Sequence, residues 1–114
     1  MKNLTATLCL SLTILLGSVG MSASADLQKG WDAYQSGDYA TALREWTPLA
    51  KQGNAVAQTA LGLMYRDGEG VPQDFKTAMK WFRLAAKQGN ADAQSNLGWM
   101  YYKGKGVPQN HKTV

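Results

Sequence analysis

Cysteine is nearly absent from this 114-residue chain, with Cys9 as its one example, and histidine is equally scarce, with His111 alone. Cys9 lies in an apolar stretch near the N-terminus that reads as an export signal. The part expected to fold therefore holds no thiol, which excludes disulfide stapling, a thiolate metal site, a redox pair and a cysteine nucleophile together. His111 sits in a short C-terminal tail with nothing in sequence to hold it in place, so no catalytic residue and no metal ligand is assigned. Proline is rare as well, three in all, and two of the three stand at matching places in a repeat. No long basic run is present: the formal net charge is only +4. That suits solubility and weak steering towards acidic partners, and it lacks the clustered basic stripe of a nucleic-acid binder.

The one sustained apolar run, Leu4 to Val19, follows Lys2 and is interrupted by Thr and Ser. It is short and polar for a membrane span, and Ala23-Ser24-Ala25 places small residues, Ala23 and Ala25, where a signal peptidase reads them. Residues 1–25 are thus expected to be a cleavable signal peptide. The mature chain would start at Asp26 with no stable membrane insertion, in the periplasm or outside the cell.

What the remainder does contain is a repeat. Lys51-Gln52-Gly53-Asn54-Ala55 returns as Lys87-Gln88-Gly89-Asn90-Ala91, a shift of 36 residues, and 19 of the 28 positions from Ala50 to Thr77 equal their partners. Such a period marks a stacked array of supersecondary units. Each unit reads as two helices. Gly53 and Gly89 suit the left-handed position that ends a helix, and Asn54 and Asn90 suit the N-cap of the next. Between the two helices runs Gly68-Glu69-Gly70-Val71-Pro72-Gln73, matched by Gly104-Lys105-Gly106-Val107-Pro108-Gln109, a turn in which glycines admit positive φ and proline stops the helix. From Asp74 to Gln88 the apolar residues Phe75, Ala78, Met79, Phe82, Ala85 and Ala86 keep helical spacing.

Gly62 and Gly98 stand inside a helix, where glycine costs about 1 kcal/mol against alanine. Both are expected to mark a close helix crossing with no room for a side chain. Gly30-Trp31-Asp32-Ala33-Tyr34 and Gly37-Asp38-Tyr39 look like a shorter first unit with a loop reduced by five residues. Its second helix would open at Asp38 and bend at Pro48, and the pair would cap the array. Residues 26–54 are accordingly a capping hairpin, 55–90 a complete repeat and 91–114 a partial one cut before its second helix.

The segment Ala91 to Tyr102, followed by Gly104-Lys105-Gly106-Val107-Pro108-Gln109, resembles the Sel-one-like repeat, a tetratricopeptide-type helical hairpin. Residues 27–54 are similar to the tetratricopeptide-like leader that precedes such units. The resemblance implies an all-α, right-handed solenoid serving as an adaptor or scaffold for other proteins, with no cofactor and no catalysis. Exported members rich in cysteine carry a disulfide in each repeat; this chain lacks those cysteines and cannot share that stapling.

Comparison of the two units separates constant from variable positions. Leu61/Leu97 and Tyr65/Tyr101 keep their identity and suit packing. Thr59/Ser95, Ala60/Asn96, Leu63/Trp99, Arg66/Tyr102 and Asp67/Lys103 vary on the first helix, which lines the concave face in solenoids of this kind. Thr59, Leu63, Arg66, Asn96, Trp99 and Tyr102 are the expected protein-binding residues, the aromatic pair beside Asn96 having the composition of a hot spot. Trp99 could instead pack on a following helix. Asp67, Glu69 and Asp74 miss the calcium-loop spacing and read as a wet turn. Lys76, Lys80, Arg83 and Lys87 read as the solvated face of a helix. A protein or peptide ligand is the expected partner; a secreted effector, a remnant of a longer array and a wall-directed enzyme are the rivals.

Overall fold

A computed structural model describes residues 25–107 of the chain. Residues 1–24 of the expected leader, Ala23 among them, and the tail holding Pro108 and His111 fall outside the described residues. Five helices follow one another: α1 (Leu27–Gln35), α2 (Tyr39–Lys51), α3 (Ala55–Asp67), α4 (Phe75–Lys87) and α5 (Ala91–Lys103). No strand occurs among the described residues.

Every helix begins on a side-chain cap. Asn54 accepts from the amide of Ala57 at 2.9 Å and Asn90 from that of Ala93 at 2.8 Å, as their sequence positions imply. Asp38 and Asp74 cap α2 and α4, each also accepting a hydroxyl hydrogen bond at 2.7 Å, from Thr41 and Thr77. Those hydrogen bonds hold both carboxyls below the usual carboxylate range. Their stabilising contribution is therefore present above the unfolded pKa and is lost as pH falls through the lower folded one. Gly68 and Gly104 end α3 and α5 in the left-handed conformation, with φ of 70° and 68°. Gly53, Gly70, Gly89 and Gly106 also take positive φ, and Pro72 lies beyond the end of α3. Pro48 stands within α2.

The short connections bring consecutive helices side by side. First helices α1, α3 and α5 form one row, and second helices α2 and α4 another. Residues Ser36 to Asp38 join α1 to α2, against Gly68 to Asp74 between α3 and α4. The first connection is thus four residues shorter, not five as the sequence alignment implies. The excess stretch of the longer loop is used: Gly70 packs on Tyr39 and Leu43 of α2.

The core is two neighbouring clusters that share α3. Ala42, Trp46 and Ala50 of α2 meet Ala57, Leu61 and Met64 of α3. Ala78, Met79, Phe82 and Ala85 of α4 meet Ala93 and Met100 of α5, with Ala55, Leu63 and Tyr65 of α3 packed alongside. A helix covered on two sides has apolar residues around most of its circumference, which is the pattern of α3.

The glycines inside the helices form a repeated device. A Cβ on Gly62 would lie 2.5, 2.6 and 2.8 Å from the Phe82 ring. One on Gly30 would lie 2.6 and 2.8 Å from Cδ1 and Cε2 of Trp46. Trp46 and Phe82 are 36 residues apart, each lying on the second helix of its hairpin against a glycine of the first. The crossing expected at Gly62 is there. The one expected at Gly98 is not: among the described residues nothing comes within 4 Å of a Cβ placed there. Gly98 has the notch without a ring, because no described helix supplies a third aromatic.

Gln58 repeats in the same way. Only 4% exposed, it donates to the carbonyl of Ala50 at 3.0 Å and accepts from the Gln88 amide at 3.0 Å. It thereby ties α2 and α4 through α3. Gln94 makes the first bond, to Ala86 at 3.1 Å, but stands exposed.

Candidate functional site

A groove of about 410 Å³ crosses the row of first helices. Leu27 and Trp31 of α1, Val56, Thr59, Ala60 and Leu63 of α3, and Asp92 at the start of α5 line it, with Trp46 at its base. Its exposed walls are Trp31 and Val56, at 47% and 57%. Trp31 is held by its own helix, stacking on Tyr34 with ring centroids 5.8 Å apart. Trp46 is 3% exposed and donates its indole N–H to the carbonyl of Leu27 at 3.2 Å. The groove is thus an apolar slot with one stacked aromatic wall and polar groups, Gln28, Asn90 and Asp92, at its rim.

The residues expected to bind divide into three groups. Thr59 and Leu63 line this groove; Thr59 is 6% exposed and spends its hydroxyl on the carbonyl of Ala55 at 2.9 Å. Arg66, Asn96 and Trp99 come together farther along the same row. The Arg66 guanidinium donates to Asp67 at 2.8 and 2.9 Å and to the Asn96 side-chain oxygen, and its centre lies 6.0 Å from the Trp99 ring. Tyr102 belongs to neither: it is 83% exposed, with the Lys103 ammonium 5.6 Å above its ring. Trp31 was missed. The signal for it was present, since the residue after each notch glycine is large and apolar: Trp31 after Gly30, Leu63 after Gly62, Trp99 after Gly98.

The acidic turn is more than a wet loop. Glu69 accepts from the Tyr34 hydroxyl at 2.6 Å and the Tyr39 hydroxyl at 3.1 Å, fastening the α3–α4 connection to α1 and α2. Asp67 is engaged by Arg66 and Asp74 caps α4. Among the described residues no group of three or more His, Cys, Asp and Glu could hold a metal ion, and no helix is long and apolar enough to cross a membrane. Lys76, Lys80, Arg83 and Lys87 are all exposed.

Burial and the Glu69 hydrogen bond push the Tyr34 hydroxyl well above the ordinary phenol range. The unfolded phenol ionises near pH 10 while the folded one keeps its proton, so stability falls as pH rises beyond about 10. Thermal melts across the alkaline range are expected to show this loss, and Tyr34→Phe to flatten it. An equally steep loss in Tyr34→Phe would remove Tyr34 as its source.

The Sel1 repeat family model matches residues 55–90 and 91–113, the two units set by the repeated caps and turns. The chain belongs to the Sel1 repeat family. Among solved structures, a Sel1 repeat protein from Oxalobacter formigenes is similar to it, with a TM-score of 0.70 and 35% identity over 75% of this chain and 35% of that one. A protective antigen of uropathogenic Escherichia coli strains, displaying an SLR fold, is similar with a TM-score of 0.69 and 37% identity, over 82% of this chain and 21% of that one. The chain therefore spans about a third and about a fifth of these two relatives. Comparison with curated proteins gives no match. The Sel1 repeat assignment covers α3 to α5; α1 and α2 precede the matched units and repeat their glycine-and-ring packing in a shorter hairpin.

Proposed function

We propose that this Sel1 repeat chain is a non-enzymatic protein-binding module that takes an apolar side chain of a protein or peptide in the groove along its first helices. The observation that carries the reading is the groove itself, an apolar slot walled by the exposed, stacked indole of Trp31. An aromatic fixed in its free conformation loses little freedom on binding, and such residues dominate interface energetics. Arg66, Asn96 and Trp99 extend the same row with polar contacts. The family relationship supports the adaptor role. The leader-like N-terminus supports work in the bacterial periplasm, which cell fractionation with an antibody to the chain would check.

A photo-crosslinking residue at position 56, in the native cells, tests the groove. A discrete protein adduct is expected, lost in Trp31→Ala and kept in Lys76→Ala on the distant face of α4. Truncating a hot-spot tryptophan costs about 2 kcal/mol, or roughly 30-fold in affinity. No adduct, or one indifferent to Trp31→Ala, would refute the groove as the binding site.

A further inference from the structure

Charge on the described helices is sorted by row. The second helices carry six cations, Arg44 and Lys51 on α2 and Lys76, Lys80, Arg83 and Lys87 on α4, against one carboxylate, Glu45. The first helices carry three of each sign. Glu45 is turned towards α1, where it accepts from the Asp26 amide at 3.1 Å and lies 3.7 Å from the Lys29 ammonium. All six cations are exposed. Among the described residues Lys51, Lys80 and Lys87 meet no carboxylate, since the ion pairs Lys29–Glu45 and Arg66–Asp67 take their cations from the first helices. The four cations of α4 follow i, i+4, i+7 and i+11 spacing, a single stripe about 16 Å long. Arg44 and Lys51 stand 36 residues before Lys80 and Lys87, so α2 repeats part of that stripe. Leu84 lies one turn from both Lys80 and Lys87 and is 42% exposed among them. Trp81, three residues earlier, packs partly buried against the α2–α3 cluster.

We propose that this second-helix face docks on the surface of an anionic lipid bilayer. Six like charges spread over two helices cover an area, and the complement of an area of one sign is a sheet of phosphate headgroups. A single acidic side chain or a lone linear polyanion would meet only one stripe of it. Leu84 decides between an anionic surface and a soluble anion. Lysine and arginine hold the headgroups while a leucine among them enters the boundary with the acyl chains, and a soluble polyanion offers that leucine nothing. Attachment is peripheral, as no described helix is long and apolar enough to cross a membrane. The groove lies on the row of first helices, so a chain docked this way keeps it turned to solution.

Vesicle flotation of the full chain tests this, with phosphatidylcholine alone against phosphatidylcholine containing one-third phosphatidylglycerol. The apolar stretch from Leu4 to Val19 is common to every variant, and the neutral vesicles read its contribution. Tighter binding to the anionic vesicles is expected. Lys80→Gln with Lys87→Gln should weaken it about 25-fold, at roughly five-fold for each cation near an anionic surface. Lys29→Gln with Lys103→Gln removes the same charge from the first helices and should change it by less than about two-fold. A helix is about 10 Å thick, and charges more than about 8 Å away are largely screened at 0.15 M salt. Leu84→Ala should weaken binding about three-fold through lost apolar area. The substituted side chains are exposed, so melting temperatures should stay unchanged. Equal binding to the two kinds of vesicle would overturn the proposal. So would equal losses in the two double variants, which would leave net charge alone as the cause. Displacement by polyphosphate with no effect of Leu84→Ala would give the face to a soluble polyanion instead. These readouts are separate from the position-56 crosslink, so either proposal can fail alone.

Discussion

Phe82→Ala is expected to destabilise the chain by about 3–5 kcal/mol, the range for deleting a fully buried aromatic. Phe82 is 0% exposed, and three circumstances push towards the top of that range. Its ring lies on the backbone of α3 at Gly62, so no neighbouring side chain at that point can lean in to fill the void. Three members of its cluster, Ala78, Ala85 and Ala93, are too short to reach into the void. It also sits in the contact between α3 and α4 on which the docking of α5 depends, and in a repeat array each unit is held only by its neighbours. Small domains have about 5–15 kcal/mol in total, so the variant should be largely unfolded at modest urea. Chemical denaturation followed by far-ultraviolet circular dichroism checks this. Phe82→Leu, which keeps most of the volume, should cost about 1.5 kcal/mol or less if the core can repack. A small loss in Phe82→Ala would show that the two hairpins hold together without the ring.

Much of this organisation was legible in the chain itself, and the reasons are local. Asn54 and Asn90 read as caps because the cap is a short-range hydrogen bond between residues three apart, and both make it. The turns read correctly because glycines and a proline constrain their own backbone. The repeat made each reading twice over. What failed was the inference that equal residues have equal surroundings. Gly62 and Gly98 occupy the same place in their units, yet one meets a ring and the other meets none of the described residues. Leu97 and Tyr101 are likewise less covered than Leu61 and Tyr65. A helix residue's burial is set by the next helix, and identity inside one unit carries no information about that neighbour.

The candidate site was half legible for a related reason. Variation between units pointed to the first helices, and Leu63, Arg66, Asn96 and Trp99 do lie along them. Thr59 varies only to Ser95 and keeps its hydroxyl turned to its own helix. Trp31 lay in the first unit, whose shorter connection shifts its register by four residues, so a comparison at a fixed period of 36 passes over it. The groove exists because α1, α3 and α5 are placed side by side, and that placement is tertiary.

Alanine at the three helix glycines is expected to give effects of opposite sign, which follows from what each Cβ would meet. Replacing glycine by alanine within a helix contributes about 1 kcal/mol of stability through backbone entropy. At Gly98 none of the described residues lies within 4 Å of the added methyl, so Gly98→Ala should stabilise by about 0.5–1 kcal/mol. At Gly62 the new methyl would stand 2.5 Å from a ring that is itself wholly buried. Overpacking of that kind costs about 1–3 kcal/mol and occasionally more. The ring cannot swing away into solvent, so the upper figure applies and Gly62→Ala should lose about 2 kcal/mol net of the helix gain. Gly30→Ala should lose a similar amount, since moving the Trp46 indole would also strain its hydrogen bond to Leu27. Melting temperatures of the three variants decide the matter, and a double-mutant cycle sharpens it. In the Phe82→Ala background the methyl at position 62 enters a cavity and meets no ring. Gly62→Ala should there become neutral or stabilising, giving a coupling of about 2–3 kcal/mol, within the span known for residues in contact. Equal effects of Gly62→Ala in both backgrounds would mean that the glycine is set by something other than the ring.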